Sequence, residues 1–187
     1  MQPSQLIDAF ESGQQTFDQI NLSQANLSCI RLPFVQLVDA NFRGANLTKA
    51  FLPGAELLRV NFQDANLAYA NLIGAELIRT NFQGACLRNA LLSASTLTGA
   101  NFSLAQLSYA CLNGANLCGA SLRGADLSFA NLQGADLRGA DLRGAILHET
   151  VLTEVNLDYT LMPNGLYAAT AEAAMPEADW RLVSEFA

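Results

Sequence analysis

The sequence contains few of the residues that usually build active sites. It has a single histidine, His148, with no second histidine or cysteine at the spacing of a metal site, and it has no Gly-x-Gly-x-x-Gly or phosphate-loop motif. The four cysteines form no Cys-x-x-Cys pair, and we interpret them as isolated reduced thiols: Cys29, Cys86, Cys111 and Cys118. These absences predict a protein that is not an enzyme, with no catalytic residues, no cofactor and no metal.

Segments suited to targeting or to spanning a membrane are also missing. No stretch approaches the roughly 18 apolar residues that a spanning helix needs. Residues 1–10 have neither a basic start nor a long apolar core, so they are not typical of a secretory signal. Together with the reduced cysteines, this favours a cytoplasmic protein with no membrane partner.

A large excess of one charge is absent from most of the chain. The formal net charge is −7, but residues 17–157 contain ten acidic and nine basic residues, and most of the excess lies in residues 1–16 and 158–187. Acidic and basic residues even alternate, as in Glu56 with Arg59 and Glu76 with Arg79. Because no basic stripe exists, the sequence predicts no direct nucleic-acid binding.

A five-residue period is what the sequence has in abundance. Leucine or phenylalanine occupies every fifth position from Phe17 to Leu157, 29 times without a miss, and the residue two positions earlier is alanine in 20 of these units. Residues five apart are rotated by about 140° on a helix and point to opposite faces of a strand. The period therefore places every leucine in one interior only if the chain turns a corner in each unit, which predicts a polygonal tube.

The phenylalanines indicate how many units make one coil. Phe42, Phe62, Phe82 and Phe102 are each twenty residues apart, and residues 54–73 and 74–93 share most of their sequence at the same offset. Twenty residues are four units, so we predict a four-sided coil with the four rings stacked in a ladder inside it. Coils spaced by about 4.8 Å would form about seven layers in a rod about 35 Å long.

Runs such as Ala-Asn-Phe-Arg-Gly-Ala-Asn-Leu-Thr-Lys at residues 40–49 resemble the pentapeptide-repeat family, whose consensus is Ala-(Asp/Asn)-Leu-x-x. The resemblance covers residues 15–160 and implies an all-β solenoid, a right-handed quadrilateral β-helix. Departures from the motif cluster at residues 30–38, at 91–97 and after Ile146.

The two ends of the chain differ from the repeat. Residues 1–14 form a predicted helical cap, in which Ser4 begins a helix over Gln5–Ser12, Gly13 ends it, and the apolar face is Leu6, Ile7 and Phe10. Residues 161–187 form a C-terminal tail that starts with a Pro-Asn-Gly turn and contains helical candidates at 168–174 and 177–186. The tail could cap the last coil, dock on a flank, pair with another subunit or stay mobile, and the chain could be a monomer or an end-to-end homodimer.

Apolar residues in outward slots form the candidate partner surface. Val38, Leu58 and Ile78 are twenty apart, so they should stack on one face. The preceding face should carry a second ladder of Pro33, Pro53 and Ile73 with Phe51 and Leu91 beside it. Tyr69, Tyr109 and Phe129 should lie near one corner. Exposed contiguous apolar surface usually marks a partner site, although a loop or terminus could also cover it.

The sequence thus favours a non-catalytic scaffold that binds an unidentified protein, in a regulatory role that the family resemblance permits. The alternative is an inhibitor or protector of a topoisomerase such as DNA gyrase, because some relatives resemble a DNA duplex in shape and acidity. DNA carries about one negative charge per 1.7 Å of its axis, so a rod of about 35 Å should present on the order of twenty. A nearly neutral body fits that alternative poorly.

Overall fold

The five-residue units form a β-helix held together by parallel bridges between residues twenty apart. The computed structural model describes residues 1–168, and these bridges continue from the pair Thr16 and Gln36 to the pair Asp141 and Leu161. Each straight section is too short for a long strand, because a corner follows after a few residues. Only one pair of three-residue strands is continuous within this range, β1 (Gln36–Val38) and β2 (Glu56–Leu58), which run parallel with Leu37 opposite Leu57.

The corners explain the residue preferences of the unit. The residue two positions after each central leucine or phenylalanine has φ between 53° and 69°, the left-handed region that glycine adopts most easily. In the unit around Phe42, the backbone N–H of Ala45 donates to the Phe42 carbonyl at 3.0 Å, and the N–H of Arg43 donates to Asn41 Oδ1 at 3.1 Å. An asparagine or aspartate before the central residue therefore fixes the turn.

The interior is filled by the repeat itself. The leucines and the alanines two positions before them are almost all fully buried, and the four phenylalanine rings stack with centroid distances of 5.2, 5.3 and 4.8 Å, as predicted. Where threonine replaces alanine, its hydroxyl is satisfied internally: Thr80 Oγ1 donates to the Leu57 carbonyl at 2.7 Å. Within residues 1–168 the tube is therefore a packed core.

The short N-terminal helix is confirmed, but its start differs from the prediction. The helix α1 spans Pro3–Glu11, so Ser4 lies inside it and Gln2 is the capping residue. The Gln5 side chain accepts a hydrogen bond from the Gln2 backbone N–H at 2.8 Å, and proline at the first helical position needs no N–H partner. Gly13, with φ of 97°, follows the helix as expected.

Only part of the predicted apolar face of α1 meets the repeat. Leu6 is fully buried in the core cluster and Phe10 packs against it, whereas Ile7 points to solvent and is 37% exposed. The predicted face was therefore wrong at Ile7, because a helix that lies on the first coil presents only one side to it.

The described chain ends by folding back on the last coil. Leu161 and Tyr167 form an antiparallel bridge, and the N–H of Ala168 donates to the Thr160 carbonyl at 2.8 Å. The tail helices predicted at 168–174 and 177–186 lie outside the described residues, apart from Ala168 itself. No helix within residues 1–168 is long and apolar enough to cross a membrane.

Candidate interaction surface

The predicted surface residues lie on two neighbouring faces of the tube. We call them the Pro53 face (residues 31–33, 51–53, 71–73 and 91–93) and the Leu58 face (residues 36–38, 56–58, 76–78 and 96–98). Bridges between residues twenty apart stack the members of each face on one another. Ile73 and Leu91 are 40% and 38% exposed, whereas the other predicted residues are half-buried: Val38, Phe51, Pro53, Leu58 and Ile78. The surface is thus apolar but partly covered by its own neighbours.

Phe34 occupies the corner between these two faces and was missed in the sequence. Its side chain is 66% exposed, and its ring lies over Gly54, where an added Cβ would come within 2.6 Å of Phe34 Cε1. Gly54 therefore leaves the space in which the ring rests. The sequence did contain a signal for Phe34. It is a bulky residue in the corner slot, where the backbone adopts a φ of 60° that is unfavourable for large side chains.

Arg31 covers part of the Pro53 face. Its guanidinium carbon lies 4.4 Å from the centroid of the Phe51 ring, a cation–π contact. The contact explains why Phe51 is only half-exposed although it points outward.

The ion pair beside the Leu58 face joins two neighbouring coils: Arg59 pairs with Asp39 of the preceding coil. Arg59 donates two hydrogen bonds to Asp39, twenty residues earlier, at 2.7 and 2.8 Å, and this contact lowers the pKa of Asp39. The alternation of Glu56 with Arg59 in the sequence is therefore not an ion pair. Glu56 and Glu76 are neighbours in adjacent coils, paired by a parallel β-bridge of their backbones. Neither carboxylate forms an ion pair with any of residues 1–168, so two carboxylates lie beside the apolar residues of this face.

Two carboxylates in the last coils, those of Asp136 and Asp141, are neutralised locally. Asp136 pairs with Arg138 at 2.8 Å, and Asp141 pairs with Arg143 at 2.7 Å and with Arg123 at 3.4 Å. The hydrogen bond from Arg143 is the largest cause that lowers the pKa of Asp141 to about 2. These pairs place arginines directly beside two of the carboxylates in this part of the rod.

A shallow groove follows the Leu58 face toward the C-terminal coils. Its lining includes Leu58 and Ile78, then Thr98 and Cys118, where burial raises the pKa of the Cys118 thiol. Within residues 1–168 no three His, Cys, Asp or Glu side chains stand close enough together to hold a metal ion, and all four cysteines are free thiols.

The five-residue repeat matches a known protein family. The sequence model of the family described as pentapeptide repeats matches the chain in eight copies, over residues 17–54, 36–67, 55–93, 85–124 and 120–158. A comparison with curated protein sequences gave no match.

Several solved structures are similar to the chain. HetL, a pentapeptide repeat protein involved in heterocyst differentiation regulation in the cyanobacterium Nostoc, is 27% identical over 90% of this chain and 100% of HetL, with a TM-score of 0.29. A pentapeptide repeat protein of the Arabidopsis thaliana thylakoid lumen is 35% identical over 55% of this chain and 68% of its own, with a TM-score of 0.43. The plasmid-mediated fluoroquinolone resistance protein QnrB1 is 22% identical over 76% of this chain and 82% of its own, with a TM-score of 0.42.

Proposed function

Because the chain belongs to the pentapeptide-repeat family, we propose that it is a non-catalytic, regulatory scaffold of the cytoplasm that binds another protein. The proposal keeps the finer architecture expected from the sequence, a right-handed coil of about seven layers, as a monomer or an end-to-end homodimer. It assigns the function to the outside of the tube, because leucine, alanine and phenylalanine fill the inside.

The observation that carries the proposal is the group of outward apolar residues on the Pro53 and Leu58 faces. Pro53 and Ile73 lie on the side of the corner that carries Phe34, which is 66% exposed, and Leu58 and Ile78 lie on the next face, beyond Glu56 and Glu76. Most other outward slots hold polar residues, so the fold does not require this surface. Exposed apolar residues clustered on two neighbouring faces favour burial against a partner.

The two carboxylates in this surface define the chemistry of the partner. Glu56 and Glu76 flank Leu58 and Ile78 and lack an ion pair within the described residues. A partner that buried this surface would have to compensate them, because burying an unpaired charge is costly. We therefore expect a protein segment that presents apolar side chains with a lysine or arginine among them.

The topoisomerase alternative has less support. Residues 17–157 carry nearly equal numbers of acidic and basic residues, and Asp39, Asp136 and Asp141 are paired with arginines. A rod of about 35 Å that imitated duplex DNA would need on the order of twenty negative charges.

The test is to purify partners from the native cell and then measure the affinity of each purified candidate. Leu58→Lys with Ile78→Lys should weaken binding of the true partner by about tenfold or more, because two central apolar contacts are lost. The matched control is Gln63→Lys with Gln83→Lys, the same slots of the next face in the same two coils. Equal affinity of both variants would refute the assignment of this surface to the partner. Inhibition of gyrase supercoiling by the wild type would support the topoisomerase alternative.

A further inference from the structure

A second feature of the surface lies at another corner, in the middle of the rod. The corner slots of four successive coils hold Tyr69, Asn89, Tyr109 and Phe129, which we call the aromatic corner. The side chains of Tyr69 and Tyr109 are each 57% exposed, and that of Phe129 is 43% exposed. Tyr109 and Phe129 stack with their centroids 4.9 Å apart and their planes at 6°, and His148 meets Phe129 edge-on at 5.2 Å.

The fold does not require aromatic residues in these slots. Tyr69, Tyr109 and Phe129 each adopt a φ of 61°, a conformation that is unfavourable for bulky residues and free for glycine. Glycine occupies many equivalent slots in the same chain, such as Gly114 and Gly134. Because 18 corner slots of this chain hold residues other than glycine, the φ alone does not distinguish the aromatic corner. Its distinguishing feature is that large aromatic side chains are exposed to solvent there.

Asn89, which is shorter than tyrosine, separates Tyr69 from Tyr109 in the corner stack, and we call this position the Asn89 slot. Tyr69 and Tyr109 are two coils apart, which is about 9.6 Å at the usual strand spacing of about 4.8 Å. The chain around Asn89 supplies the sides of the slot, with Arg88 exposed on one face and Leu91 38% exposed on the next. The slot therefore has aromatic ends, an amide at its base, and one cationic and one apolar flank.

The charge beside this slot is positive and uncompensated. Arg88 and Lys49 are exposed, and neither forms an ion pair with any carboxylate among residues 1–168. The residues stacked twenty positions before and after Arg88 are Ala68 and Ser108, which carry no charge. A ligand that fits this place should carry negative charge.

We infer that the aromatic corner binds an acidic, proline-containing segment of another protein in the extended polyproline conformation. That helix repeats every three residues with a rise of about 3.1 Å per residue, so prolines three apart are separated by about 9.3 Å. This repeat matches the separation of the two tyrosines, and proline-rich segments dock on aromatic-lined surfaces. The carbonyls of such a segment, which form no internal hydrogen bonds, can accept from the Asn89 amide and the tyrosine hydroxyls, while its acidic side chains face Arg88 and Lys49.

This inference is separate from the proposed function. It depends on Tyr69, Arg88 and Tyr109, none of which belongs to the Pro53 or Leu58 face. Leu91 belongs to the Pro53 face and also flanks the Asn89 slot, so it is left unchanged in the test. Loss of one site can therefore be measured while the other is intact.

The test is fluorescence anisotropy of the full chain with a labelled peptide of four Pro-Ala-Asp repeats. Tyr69→Gly with Tyr109→Gly should weaken binding about tenfold, and glycine is tolerated at this φ, so the melting temperature should not fall. Arg88→Gln should weaken binding and reduce its salt dependence, because it removes one screened charge contact. Tyr159→Gly, in a corner slot elsewhere on the rod, should leave affinity unchanged, and Leu58→Lys with Ile78→Lys should do the same.

Three results would overturn the inference. The first is equal binding of a peptide of Ala-Ala-Asp repeats, because the polyproline conformation would then be irrelevant. The second is failure of the wild type to bind the proline peptide while it binds a single-stranded oligonucleotide through the same tyrosines. The third is tighter peptide binding by the Pro176→Ala variant. Tighter binding would mean that the chain's own acidic C-terminal segment, which contains Pro176, competes with the peptide for the corner.

Discussion

Phe82 lies at the centre of the phenylalanine ladder, and its removal measures how the core holds the coils together. The ring is fully buried, 5.3 Å from the Phe62 ring and 4.8 Å from the Phe102 ring. Replacing a buried phenylalanine with alanine costs about 3–5 kcal/mol, and each stacked aromatic contact adds about 0.5–1.5 kcal/mol. Because these contributions overlap, we expect Phe82→Ala to lower the free energy of unfolding by about 4–5 kcal/mol.

The matched variant is Phe82→Leu, because leucine occupies the equivalent slot in most units of the chain. It keeps most of the buried volume and loses the stacking, so we expect a cost of about 1–2 kcal/mol. Urea unfolding followed by far-ultraviolet circular dichroism measures both values. A loss below about 1 kcal/mol for Phe82→Ala would refute the packing argument. Equal losses for the two variants would mean that ring stacking and not volume dominates.

Two further predictions concern the ion pairs and the corners. The pKa of Asp141 is lowered from 3.8 to about 2 chiefly by Arg143, so its contribution to stability should be complete above pH 4 and lost as the pH falls toward 2. Since the Arg143 side chain is 44% exposed, Asp141→Asn should reduce this acid loss by about 1 kcal/mol or less in urea unfolding at pH 7 and pH 2.5. Asp126→Asn, in the same repeat slot without an ion pair among residues 1–168, is its control, and an equal change there would contradict the assignment. Gly124→Ala should cost about 1–2 kcal/mol of unfolding free energy, because its φ is 62° and the new Cβ would lie 2.9 Å from Leu104 Cδ2. Gly139→Ala meets open space at a φ of 67°, so a larger loss there than at Gly124 would contradict the steric argument.

The sequence predicted the interior well because the interior repeats. A leucine that recurs every fifth residue has one environment, and Phe42, Phe62, Phe82 and Phe102 form the ladder that their twenty-residue spacing predicts. The ion pair between Asp39 and Arg59 could have been predicted from the same spacing, because these residues are twenty apart. Glu56 and Arg59, which are near in sequence, do not pair with each other, because outward contacts on this fold form mainly between coils.

The ends and the corners were predicted less well. A helix of nine residues offers several possible starting points, and Gln2 caps α1 where Ser4 was expected. Phe34 was left out of the predicted surface, although Tyr69, Tyr109 and Phe129, in the equivalent slot of other units, were placed near a corner. The assignment of the seven predicted surface residues to a partner stays a prediction.

The sequence by itself determined that the chain winds into a tube with leucine, alanine and phenylalanine inside, because no helix or flat strand can place a five-residue period on one side. Only the tertiary structure decided which outward residues meet. Stacking brings Arg31 over Phe51, Phe34 over Gly54 and Tyr109 against Phe129, each pair twenty residues apart. Whether such a pair covers itself or remains open to solvent depends on side-chain directions, which the period does not contain.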